Sequence, residues 1–489
     1  MQGIDPEGSR LPIKLDTTSN GEFTPVPLTP ANRLANRLAH DAATRNAKRL
    51  GVSRRDFLVS ACGAASTLLA FNAANAAAGR TGGFFDVPTD AALDVKLAAT
   101  KAGQNDFIFD VQGHFVDPSG AWLKTAPADA FKWSPKAACA LASKPGERSH
   151  LACLGPDEFV KDVLLDSDTD MMVLSFVPAR RDAEPLTMEA ADAVRKIVDR
   201  LQGTQRLMIH GRVNPNQPGD VEGMDELKER WGVCAWKTYT QWGPDGKGFF
   251  LSDDIGLRFI EKARALGVKV ICVHKGLPFG KHSYEHSRCG DIGAVAKRFP
   301  DVRFLVYHSG FVTGVTEQPY DPSTRRDGID TLIRSMTEHD VRPNSNVYAE
   351  LGSTWRFLMR DPTAAAHALG KLIRACGENN VLWGTDSIWY GSPQDQIQTF
   401  RAFQIAPVLR AKYGYAELTP ALRAKIFGLN AARVYNISVA EVKKYTRRDV
   451  IEKARENYTE RRDPHYLTYG PKTRREFLNL LAWNGGSRA

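Results

Sequence analysis

The chain has 489 residues, of which 43% are hydrophobic, 25% charged and 9% aromatic; this supplies a large core and excludes disordered, collagen-like and coiled-coil classes. The net charge of +9 is uneven, with +4 in residues 1–80, +5 in residues 437–489 and a neutral stretch between them. A neutral body is no nucleic-acid surface, because phosphate recognition needs a basic patch on the folded domain itself.

The first 52 residues read as a Pro-, Thr- and Asn-rich coil followed by a polar helix, Ala31 to Leu50. Next come Ser53-Arg54-Arg55-Asp56-Phe57-Leu58, a weakly apolar run of small residues to Phe71, and Ala74-Asn75-Ala76-Ala77-Ala78. That order of parts resembles a twin-arginine export signal with an Ala-x-Ala cleavage point. The resemblance implies recognition by the export machinery after folding, and a periplasmic or extracellular destination. The alternative for the same residues is a buried Ala-rich helix or a retained anchor, although the run is shorter than the roughly 20 apolar residues a span needs. A second match, Thr473-Arg474-Arg475-Glu476-Phe477-Leu478, has no small-residue apolar run behind it and reads as coincidence. Of seven cysteines, Cys62 would leave with the signal. Cys139 and Cys153 flank a polar loop short enough for a bridge, whereas Cys234 and Cys272 sit in apolar runs where a free thiol packs.

From residue 107 short apolar runs alternate with helical periodicity, the pattern of β/α units and a parallel sheet. The strands are expected at Phe107–Val111, Met171–Phe176, Arg206–His210, Val233–Tyr239, Val268–Val273, Arg303–Tyr307, Val347–Leu351 and Val381–Trp383. Helices are expected at Ala190–Leu201, Met224–Arg230, Asp253–Leu266, Gly293–Phe299, Gly328–Met336, Thr363–Cys376 and Gln394–Phe403. Eight such units predict an α/β fold, a (β/α)8 TIM barrel over residues 81–437, with an N-terminal extension (1–80), a helical C-terminal extension (438–489) and an insertion at Asp117–Pro156. An open doubly wound sheet is disfavoured, since no Gly-rich phosphate loop follows the first strand.

A barrel of this kind places chemistry at the C-terminal ends of its strands. There the sequence has Asp110-Val111-Gln112-Gly113-His114 after strand one, His274 after strand five, His308 after strand six and Gly384-Thr385-Asp386-Ser387 after strand eight. Imidazoles with a carboxylate suit Zn, Mn or Fe better than Ca or Mg.

These motifs, with the closing Ile426-Phe427-Gly428-Leu429-Asn430-Ala431-Ala432-Arg433-Val434-Tyr435, resemble the amidohydrolase superfamily. The branch is the one that holds aminocarboxymuconate semialdehyde decarboxylase, aromatic acid decarboxylases and lactone hydrolases. The resemblance implies one divalent metal ion held by His114, His274 and Asp386, with His308 beside it and Asp386 and His308 as catalytic groups. The departure is Gln112, which stands where the branch carries His or Glu; a neutral carboxamide oxygen implies a weak or water-mediated ligand, or loss of the ion. Hydrolysis of a lactone, ester or amide by activated water leads, non-oxidative decarboxylation of an aromatic or unsaturated acid follows, and a metal-free binding protein is third.

Around this rim Lys237, at the end of strand four, is read as a group that supports the site or binds a substrate anion, and Arg180, Arg181 and Arg212 as carboxylate forks or plain loop cations. His282 and His286, four apart, are ligands of a second ion if helical and otherwise loop histidines. Trp242, Trp355, Trp389 and Tyr390 are candidate aromatic walls for a small-molecule substrate. The tail from Glu441 to Arg462 carries helical spacing, and Phe477–Trp483 is apolar enough to dock on its own barrel or in a homodimer.

Overall fold

Each of the eight apolar runs is too short for a helix and is followed by an amphipathic stretch, so the run is buried on both faces when strand and helix alternate. In the computed structural model these runs form one eight-stranded parallel sheet in sequential order. The structure describes residues 10–16, 25–102, 106–125, 150–202, 205–278, 283–445, 453–455 and 473–483. The strands are β1 (Phe109–Gly113), β2 (Met171–Leu174), β3 (Leu207–Arg212), β4 (Ala235–Tyr239), β5 (Val270–His274), β6 (Arg303–Tyr307), β7 (Val347–Glu350) and β8 (Val381–Leu382). The sheet closes where β1 meets the chain leaving β8: Val111 N–H donates to Trp383 O at 3.1 Å, Asp386 N–H to Gln112 O at 3.0 Å, and Gly113 bridges Ser387. Every expected strand is present, with ends shifted by a few residues.

Side chains alternate across this wall. Phe109, Val111, Met171, Val173, Ala235, Cys272, Leu305, Tyr307 and Leu382 point one way and form a single cluster capped by Tyr435. The Tyr307 hydroxyl reaches across to Val111 O at 2.5 Å, which places this cluster inside the barrel. The other faces of the strands pack under the helices, which include α3 (Met188–Gln202), α4 (Met224–Trp231), α5 (Asp254–Ala265), α6 (Ile292–Arg298), α7 (Asp330–Glu338), α8 (Pro362–Cys376) and α9 (Gln394–Ala402).

Ahead of the barrel lie α1 (Pro30–Leu50) and α2 (Ala61–Ala77). Ala31, Ala35, Ala39, Ala43 and Ala47 recur every fourth residue along α1, all buried, and let the helices pack closely. Thus the stretch that resembles an export signal lies inside the fold as a buried helix: Phe57, Leu58, Cys62, Leu68, Phe71 and Ala74 belong to the same core as the barrel helices. No helix is long and apolar enough to cross a membrane among the described residues. Cys153 is held in a disulfide whose partner lies outside the described residues, while Cys234 and Cys272 are free thiols in the wall, as expected. In the tail, Arg455 Nε donates to Leu164 O at 2.7 Å.

Outside the wall, aromatic packing after β8 ties the closing segment to the helix layer: Phe427 lies 4.9 Å from Trp383 and 5.1 Å from Phe400, edge to face. Phe427→Ala is expected to cost about 3–5 kcal/mol by opening a cavity the surrounding rings cannot fill, read as a lowered midpoint in guanidinium unfolding.

Candidate active site at the strand ends

The mouth of the barrel is assembled by unusual backbone. β1 and β2 change register between Asp110 and Gly113, and this irregularity re-aims the strand so that Gln112 and His114 project into the site after Phe109 and Val111 have pointed into the interior. His274 ends β5. His308, Ser309, Ser353 and Asp386 take left-handed backbone conformations with φ of 64°, 53°, 52° and 59°. Non-glycine residues adopt that region at a cost, and they persist where surrounding contacts over-determine them. Much of that determination comes from Glu350 at the end of β7, which accepts the His308 N–H at 3.0 Å and the Gly352 N–H at 2.6 Å. A Cβ on Gly384 would fall 1.6 Å from Glu350 Oε1, so that position has room only for glycine. Burial pushes the Glu350 carboxyl up to about 8 against those two amides.

The hydrogen-bond partners of the three histidines decide their tautomers. His114 Nδ1 lies 2.9 Å from Ser175 O, and a carbonyl only accepts, so Nδ1 carries a proton. By the same reasoning His274 donates from Nε2 to Gly276 O at 3.1 Å, leaving Nδ1 bare. His308 donates from Nδ1 to Gly352 O at 2.6 Å, leaving Nε2 bare. The bare nitrogens of His274 and His308 face each other at 3.2 Å, and His114 Nε2 faces Asp386 Oδ1 at 3.1 Å. Lone pair against lone pair is repulsive, and a proton or a metal cation relieves it. Gln112 donates from Nε2 to Asp386 Oδ1 at 2.9 Å, and its buried Oε1 has no hydrogen-bond partner. Three imidazoles, a carboxylate and an orphaned amide oxygen are a donor set that fits a divalent cation. The side chains stand as two facing pairs rather than a finished cage; no group of three His, Cys, Asp or Glu side chains encloses one point among the described residues.

All five groups are almost fully buried. Burial, then the neighbouring His308 and Lys237, lowers His274 well below the ordinary imidazole value, and burial brings His308 down to about 4 although Asp386 opposes it. For Asp386, burial acts upward, but the His114 hydrogen bond and charge with the Ser353 hydroxyl outweigh it and hold the carboxyl below its ordinary value.

The remaining sequence candidates take varied places. Trp389 stacks on His114 with ring centres 5.4 Å apart, and the Tyr390 hydroxyl lies 2.8 Å from Ser353 Oγ, which donates to Asp386 Oδ2 at 2.5 Å. Lys237 is fully buried in the barrel interior, with Nζ 3.7 Å above the Tyr307 ring and 4.6 Å from that of Tyr239. Arg180 is exposed and pairs with Asp182, Arg181 pairs with Asp220, and Arg212 is tied to Glu184 and to Ala179 O. These guanidiniums are already committed to protein partners. His282 lies outside the described residues, and His286 is turned to Ser283 Oγ at 2.6 Å. Sequence reasoning missed Glu350, Ser353 and Tyr239, whose ring stacks on His274 at 4.7 Å. The signal for Glu350 was present, since it ends a strand as the ligand candidates do.

Because His308 is neutral when folded down to about pH 4 while an unfolded histidine takes up its proton near 6.5, its contribution to stability is complete above pH 6.5 and lost as pH falls toward 4. The unfolding free energy of the wild type relative to His308→Asn is expected to fall by about 1.4 kcal/mol per pH unit across that window, measured by guanidinium titrations between pH 4 and 8.

Among solved structures the chain is similar to 5-carboxyvanillate decarboxylase from Sphingomonas paucimobilis, with 14% identity, 68% of this chain and 99% of that one covered, and a TM-score of 0.40. It is similar also to a Burkholderia multivorans amidohydrolase with bound zinc, with 16% identity, 68% and 100% covered and a TM-score of 0.40. A dihydroxybenzoic acid decarboxylase from Polaromonas with bound manganese and the inhibitor 2-nitroresorcinol matches with 12% identity, 69% and 99% covered and a TM-score of 0.39. No curated protein matches the chain. The amidohydrolase family model matches residues 109–437, from the first residue of β1 to just past the closing helix. With that match running over the whole barrel and every strand end described above, the chain belongs to the amidohydrolase family.

Proposed function

We propose that this chain is a zinc-dependent hydrolase that cleaves a C–O or C–N bond in a small cyclic or carboxylated compound with water. The reading rests on the state of Asp386: both carboxylate oxygens accept hydrogen bonds, from Gln112 and from Ser353, so the group is an ionised base at the centre of the site. His114, His274 and Asp386 would hold the ion, with Gln112 Oε1 as a weak further donor; the mixed nitrogen and oxygen set suits zinc, with manganese or iron as substitutes. When bound, such an ion polarises a carbonyl and lowers the pKa of water toward about 7. Asp386 then takes the proton of the attacking water and passes it to the leaving group. His308, whose ring is fixed by Gly352 O, orients that water or faces the developing oxyanion. The rings of Trp389 and Tyr239, stacked on His114 and His274, exclude bulk water and give a planar substrate flat walls.

The same donor set serves decarboxylation, in which an acid must protonate the carbon that carbon dioxide leaves. An Asp386 held in its ionised form is poorly placed to be that acid. Reactions of lactones, amides and aromatic acids in 18O-labelled water decide the matter. Hydrolysis predicts one labelled oxygen in the product acid, loss of turnover on chelation, and about a 10²–10⁴-fold lower kcat in Asp386→Asn. Carbon dioxide release without label in the product would overturn it.

A further inference from the structure

The residues ahead of the barrel do more than precede it. Leu11, Ile13, Lys14 and Leu15 are buried against the barrel mouth. Lys14 N–H donates to Asp395 Oδ2 at 3.2 Å, and Lys14 Nζ donates to Tyr390 O at 3.2 Å. Arg356 clamps the same segment, with Nη1 on Asp395 Oδ2 and Nη2 on Asp16 O, both at 2.7 Å. Further along, Arg360 donates to Pro27 O at 2.8 Å, and Asn32 donates to Arg360 O at 2.9 Å. Arg356 and Arg360 follow Ser353 directly, so this clamp sits behind the turn that presents Ser353 to Asp386.

The stretch that resembles an export signal is equally committed. Arg54 donates to His40 O at 2.9 Å and meets His40 Nδ1 at 2.8 Å. Asn46 Nδ2 donates to Ser66 Oγ at 3.0 Å between α1 and α2. Ala74 and Asn75, at the Ala-x-Ala point, lie inside α2 and are buried, and the Asn75 side chain donates to Phe71 O at 2.9 Å. Ala76, Ala77 and Ala78, which follow, are exposed at the end of that helix. Beyond it, Arg80 pairs with Asp361 at 3.1 Å, and Gly83–Phe85 forms an antiparallel ladder with Phe403–Ile405.

We propose that residues 10–16 and 25–80 form a permanent strap rather than an excised signal, and that Lys14 within it is a positioning residue that steadies the Tyr390–Ser353–Asp386 chain of contacts. The strap accounts for the long segment ahead of the Arg54-Arg55 motif, which an export signal does not need. The inference does not depend on which reaction the site performs. Intact mass spectrometry of the native protein from its producing cells tests the first part, with a chain that still contains Leu11 to Ala78 as the expected result. A specific protease site placed in the exposed turn at Gly79–Thr81 tests it again: after cutting, the two pieces are expected to elute together in gel filtration. Hydrogen exchange tests the positioning part. Lys14→Ala is expected to speed exchange at least tenfold in the peptide spanning Gly384–Gly391 and to leave α5 and α6 unchanged, with Lys14→Arg restoring protection. A mature chain beginning after Ala78, a strap that leaves a folded barrel, or unchanged exchange in Lys14→Ala would overturn it.

Discussion

Three backbone carbonyls, those of Ser175, Gly276 and Gly352, each take an N–H of a buried histidine, and the site depends on that choice. Once those protons are spent, the remaining nitrogens of His274 and His308 are bare and face each other, and His114 Nε2 is aimed at Asp386. Two buried lone pairs facing each other are costly, and a cation turns the same arrangement into a stable one. The chemistry proposed follows from this shortage of protons more than from the identity of any single side chain.

The barrel keeps that arrangement in place through features that are unfavourable in isolation. The register change in β1 turns Gln112 and His114 toward the mouth, and left-handed backbone at His308, Ser353 and Asp386 bends the chain back over it. Glu350 ties two of those turns together from below, in a space that Gly352 and Gly384 leave open. Beneath it the buried ammonium of Lys237, between tyrosine rings, adds its charge to the burial that keeps His274 and His308 neutral. From outside, the N-terminal segment braces the wall through Asp395 and Tyr390. Local strain near the site is thus matched by contacts in several separate elements.

The barrel was legible because each strand is a short apolar run flanked by turn residues and each helix an amphipathic stretch, both local signals. The polar residues at strand ends were legible for the same reason. Glu350 obeys that rule and was passed over because its role is to bind backbone amides, which leaves no mark in spacing. Tautomers were out of reach, since they depend on carbonyls as remote as Ser175 is from His114. Arg212 read as a free fork because its partner, Glu184, lies 28 residues away. The N-terminal segment carries two readings at once: a small-residue, weakly apolar helix is what an export signal and a tightly packed buried helix both require. In the folded chain the alanine stripe of α1, Ala31 through Ala47, supplies the surface that α2 packs against.

The measurement that bears most directly on the site is metal content by inductively coupled plasma mass spectrometry, made on the full chain and on His114→Ala, His274→Ala and Asp386→Ala. The account predicts about one zinc per wild-type chain, as a single mononuclear site holds, and its loss in each variant while the fold persists by circular dichroism. A wild-type protein that takes up no zinc, manganese or iron even after incubation with each would contradict it, and the bare nitrogens would then have to be satisfied by protons alone.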